Sequence, residues 1–127
     1  MRPFEETISA ALADLLRAGV PSRTLRLTAR ELVVARLERG PLGGGEIGDA
    51  VAAAARAACR LVRELGAPDD VVALVCRAAL EAVRGHGGTT ARWLPEAQDA
   101  VERALDELAR ERAEGAEWRR LVRRLTW

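Results

Sequence analysis

The residues "IGDAVAAAARAACRLVRELGAPDDVVALVCRAALEAV" (47–83) decide the fold. Ile47, Val51, Ala54, Ala55, Ala58, Leu61, Val62 and Leu65 recur at three and four, the period of one helix face. Arg56, Arg60, Arg63 and Glu64 fall on the other side. "GAPDD" (66–70) then supplies a glycine to end that helix and an aspartate to cap the next. From Val71 to Val83 only Arg77 and Glu81 are charged, which predicts the most buried helix of the chain. The stretch reads as a central antiparallel hairpin, about 46–65 and 69–84.

The flanks extend the same pattern. Phe4, Ile8, Ala11, Leu12 and Leu15 mark an amphipathic helix over about 3–19, with Gly19 and Pro21 as stop signals. "SRTLRLT" (22–28) alternates polar and apolar, which predicts a short extended segment over 23–27. Thr28 and Glu31 form a capping box that would start a helix running to about Arg39. "GPLGGG" (40–45) breaks the chain. Pro95 suits a first helical turn, and Ala97, Val101, Ala104, Leu105 and Leu108 give the next helix a narrow apolar stripe. Trp118, Leu121, Val122 and Leu125 fall off that stripe, so a break near Gly115 and a short C-terminal helix are expected. The fold class is all-α: a compact five- or six-helix bundle in one domain, 1–127, with 116–127 as a separable docking helix.

Composition supports a packed domain. At 127 residues, about two-thirds of the unfolded surface can be buried without staples. Aromatic residues make up only 3%, so leucine, valine and alanine must build the core. All 20 basic residues are arginine, and the lack of lysine removes Schiff-base chemistry and the P-loop lysine. Net charge is +1, too small for a global field to steer association. Its distribution is uneven: 17–39 holds six arginines against Glu31 and Glu38, whereas 96–117 holds eight acids against three arginines. Such stretches could face each other within or between subunits. The acidic start "MRPFEETISA" is unlike a signal peptide and no run is long enough to span a membrane, so a cytoplasmic location is expected.

Cys59 and Cys76 stand almost equally far from the hairpin turn. Helix geometry turns both the same way from their stripes, so both point into the shared interface or both point out. They form a candidate thiol pair. Inert packing as small hydrophobes is the favoured reading, ahead of a redox-linked pair and of ligand or interface duty.

Little else reads as chemistry. His86 is the sole histidine, in a glycine-flanked loop, and neither Ser9 nor Ser22 lies in a nucleophile elbow. With no C-x-x-C and no H-E-x-x-H, no metal or cofactor is expected. "PLGGGEIG" (41–48) lacks both phosphate-loop signatures and reads as a connector.

Two surfaces remain. "EWRRLVRRLTW" (117–127) places Trp118, Leu121, Val122 and Leu125 on one face, with Arg119, Arg120, Arg123 and Arg124 opposite. Tryptophan and arginine are the residue types favoured at interface hot spots. The segment "RTLRLTARELVVARLERG" (23–40) resembles, over about forty residues, the layout of ribbon–helix–helix DNA-binding proteins. That resemblance implies a strand entering the major groove with Thr24 and Arg26 facing bases, and Arg30 beside them. "GPLGGGEIG" departs from the short turn expected there. The leading expectation is a non-enzymatic helical protein–protein interaction or scaffold protein, self-associating as a homo-oligomer. The alternative is a DNA-binding regulator using the basic 22–39 segment, and third comes an enzyme or cofactor-binding helical bundle.

Overall fold

A computed structural model describes residues 3–39, 44–85, 94–111 and 120. Those residues form five helices and no strand: α1 (Phe4–Ala18), α2 (Ser22–Leu37), α3 (Gly44–Leu65), α4 (Asp70–Gly85) and α5 (Leu94–Glu111).

Local chemistry sets the ends. Pro3 opens α1, its carbonyl accepting the amides of Glu6 and Thr7, both at 3.1 Å. Gly19 closes it at φ 70°. The Gly19 amide donates to the Leu16 carbonyl and the Val20 amide to the Leu15 carbonyl, the paired bonds of a Schellman cap. The left-handed backbone that this cap needs is why glycine stands there. Gly66, at φ 67°, follows α3 directly. Four residues later α4 begins, so α3 and α4 form the hairpin expected from the sequence.

The extended segment over 23–27 is absent. Pro21, read as a stop, is instead the residue that starts α2: its carbonyl accepts the amides of Thr24 and Leu25 at 3.0 and 3.2 Å. Proline has no N–H to leave orphaned at a helix start, so this position is tolerant of it. Leu25, Ala29, Val33 and Leu37, four apart, then lie on the buried side of α2. Each leucine or valine so buried contributes about 1.5–3 kcal/mol, which outweighs the weak strand preference of an alternating heptad. Thr28 and Glu31 sit inside the helix and cap nothing.

α3 is the hub and packs against all four other helices, while α2 packs chiefly on α4. From Ile47 to Leu61 every residue of α3 is buried except Asp49, Arg56 and Arg60. The alanines there let neighbours approach closely: a Cβ added at Gly48 would stand 3.3 Å from the Ala100 Cβ of α5. α4 is buried from Val71 to Val83 except at Leu74, Arg77 and Glu81. Ala97, Ala100, Val101, Ala104 and Leu105 give α5 its buried stripe. The core is therefore aliphatic, and Phe4 packs only at its edge. Among the described residues, no helix is long and apolar enough to cross a membrane.

Candidate functional site

The interior offers almost no chemistry. Among the described residues the one buried polar side chain is that of Ser9, whose Oγ finds no hydrogen-bond partner among them. Cys59 and Cys76 are buried free thiols on α3 and α4, two helices that pack on each other. Burial pushes the Cys59 thiol up to about 12 despite the opposing influence of Arg63. Burial, then the neighbouring Cys59, pushes Cys76 well above its ordinary value. A thiol so held stays protonated at neutral pH and is a poor nucleophile. No three histidine, cysteine or acidic side chains are grouped to hold a metal ion among the described residues.

Charge lies outside, and it is organised. Glu5 on α1 accepts from Arg56 Nε at 2.6 Å and Arg60 Nη2 at 3.2 Å, tying α1 to α3. Glu81 on α4 plays the same part for α2: Arg26 Nη1 and Arg77 Nε each lie 3.2 Å from its Oε1. Four residues further along α2, Arg30 Nη2 reaches to 3.3 Å from where a Cβ on Gly85 would stand. Arg26 with Glu81 and Arg30 with Gly85 share one offset, 55 positions. A constant offset means that α2 and α4 run in the same direction.

That register locates the remaining arginines. At about 100° per residue, Arg23 and Arg30 lie about 60° and 40° from Arg26 in one rotational sense. On α4, Arg77 and Arg84 lie about 40° and 60° from Glu81 in the opposite sense. On two parallel helices that face each other, opposite senses turn outward to the same side. Arg23, Arg30, Arg77 and Arg84 thus flank the Arg26–Glu81 pair on one outer face. Arg23, Arg30 and Arg84 are exposed and make no ion pair among the described residues.

A second surface has the opposite sign. An open groove of about 450 Å³ runs between α3 and α5, with Gly48, Ala52, Ala100 and Ala104 along it. Asp49, Glu96, Asp99 and Glu107 line it beside Arg56 and Arg103. Arg103 Nε lies 3.5 Å from the Asp99 carbonyl, and Arg56 is held by Glu5. A second groove, about 440 Å³, lies between α1 and α2, where Phe4 and Leu32 meet Arg36 and Arg39.

The residues singled out from sequence divide accordingly. Arg26 and Arg30 share the α2–α4 face, but Arg26 is half-buried against Glu81 instead of projecting from a strand. Thr24 is exposed and turned about 160° from Arg26 by helix geometry, away from that face. Arg77 and Arg84 were not among those residues; their spacing of seven was visible, but the helix that would face them was not. Arg120 is helical and exposed. Trp118, Arg119, Leu121, Val122, Arg123, Arg124 and Leu125 lie outside the described residues, as does His86. No family model matches the chain, and neither a curated protein nor a solved structure matches it.

Proposed function

We propose that this chain is a non-enzymatic helical interaction protein that self-associates and acts as a scaffold. The observation that supports the reading is the separation of roles within the fold. Among the described residues the interior is aliphatic, with protonated thiols and one serine, while the charges are sorted into a basic α2–α4 face and an acid-rich α3–α5 groove. Surfaces of opposite sign favour oriented docking and set encounter rates more than raw affinity. The segment 116–127, with Trp118 and its arginines, is the anchor in this reading, and a reducing cytoplasm is the compartment in which Cys59 and Cys76 stay thiols.

Sedimentation velocity on the full chain and on a variant lacking 116–127 tests the proposal. The full chain is expected to sediment as an oligomer that weakens with salt, and the truncated one as a monomer with the same cooperative melting transition. A full chain that is monomeric at all concentrations defeats self-association. A truncated chain that assembles normally removes the tail from the interface.

A further inference from the structure

We propose that the α2–α4 face binds the phosphodiester backbone of nucleic acid through Arg23, Arg30, Arg77 and Arg84. The inference goes beyond the scaffold reading and does not use a strand. Its basis is the parallel register of the two helices. Seven residues of helix rise separate Arg23 from Arg30 and Arg77 from Arg84, about 10 Å in each row, and packed helices hold such rows 8–10 Å apart. Four cationic forks therefore stand at the corners of a patch about 10 Å on a side. The carboxylate shown within it, Glu81, is shared by Arg26 and Arg77.

The chemistry of the patch selects among anions. Arginine binds phosphate through two parallel N–H donors and is weakly hydrated, so it gives up water readily on contact. A membrane surface would need a broad apolar face for insertion. Among the described residues of α2 and α4, the exposed large apolar side chain is Leu27, at 38% exposure. A protein partner seated on this face alone would be expected to centre on an aromatic anchor, and neither α2 nor α4 carries an aromatic residue, the anchor of the scaffold reading lying in 116–127. A repeating phosphate chain fits four cations without such an anchor, and contacts of this kind position a nucleic acid without reading its sequence.

The test is fluorescence anisotropy with a labelled 20-nucleotide single strand and a labelled 20-base-pair duplex. With about four phosphates neutralised, log K should fall against log salt with a slope of about −3.6 on duplex and −2.8 on single strand. Between about 50 and 200 mM salt that is roughly a hundredfold loss on duplex. Arg77→Gln with Arg84→Gln, and separately Arg23→Gln with Arg30→Gln, should each weaken binding at low salt and flatten the duplex slope by nearly 2. Arg36→Gln with Arg39→Gln, on the α1–α2 groove, should change neither. Glu81→Gln should tighten binding several-fold by releasing Arg26 and Arg77. Thermal melts of every variant separate lost contacts from lost fold. No anisotropy change at the lowest salt overturns the proposal. So do seam variants that bind like the parent, equal weakening by the groove pair, or binding to anionic vesicles in place of nucleic acid.

Discussion

α3 and α2 are both amphipathic helices, yet they meet water in opposite proportions. α3 is enclosed on nearly every side from Ile47 to Leu61, and alanine fills most of its contacts. α2 buries one residue in four, and most of its other positions are arginine, threonine or glutamate. In the first helix a position is defined by volume, because packed interiors leave little space for an added methylene. In the second it is defined by charge and by which neighbouring side chain it can reach. Recognition therefore has room to reside on α2 and its partner α4, while the α3 interface works as framework.

The largest effect expected concerns the thiols in that framework. The folded chain holds Cys59 up to about 12 and Cys76 above its ordinary value of 9.0, whereas the unfolded thiols lose their protons near the ordinary value. The unfolded state then binds fewer protons, so stability is fully present below pH 9 and falls as pH rises toward the folded value. Each thiol contributes a slope of up to about 1.4 kcal/mol per pH unit. Urea titrations at pH 8 to about 10.5 should show this loss, and the double variant Cys59→Ala, Cys76→Ala should flatten it. An unchanged slope in the double variant would mean that the thiols are not desolvated.

Volume comes next. Ala54→Leu on α3, at a fully buried site, should destabilise by about 1–3 kcal/mol. Ala35→Leu on the exposed side of α2 should stay within about 0.5 kcal/mol of the parent. Equal losses in urea denaturation would erase the distinction between the two helices. On the charged side, Glu5→Gln removes the negative charge shared by Arg56 and Arg60 and one of its two acceptor oxygens, and a loss of about 1 kcal/mol or less is expected, shrinking further in salt. A salt-independent loss of several kcal/mol would make the outer ion pairs part of the framework.

The same contrast decides what was legible in the sequence. α3 and α4 could be read because burial extended over five and four turns, so the period was sustained and the Gly66–Asp70 turn was flanked by it. α2 was readable only from Leu25, Ala29, Val33 and Leu37, and the alternation of Ser22–Thr28 competed with that sparse stripe. Pro95 lies in the first turn of α5, as its sequence position predicts, and the same logic at Pro21 places the start of α2. The arginine face was legible only in its α2 half: Arg26 and Arg30 could be named, but nothing joined Arg77 and Arg84 to them. It depends on a register of 55 positions between two helices, and no local period encodes how one helix slides along another.

The smallest effect is the sharpest probe of close packing. Gly48 lies within α3, so alanine there should gain up to about 1 kcal/mol of helix propensity. Against that gain, its Cβ would meet the Ala100 Cβ at 3.3 Å, a few tenths of an ångström too near. Ala100 is 7% exposed, at the rim of the α3–α5 groove, where α5 can yield outward. Gly48→Ala should therefore be stabilising by a few tenths of a kcal/mol, a net of two opposing contributions. Gly19→Ala has open space around it but a φ of 70°, so backbone strain should make it destabilising by about 1 kcal/mol. A Gly48→Ala loss as large as that of Gly19→Ala, measured by urea denaturation, would mean that α5 is held as rigidly against α3 as a left-handed turn holds its glycine.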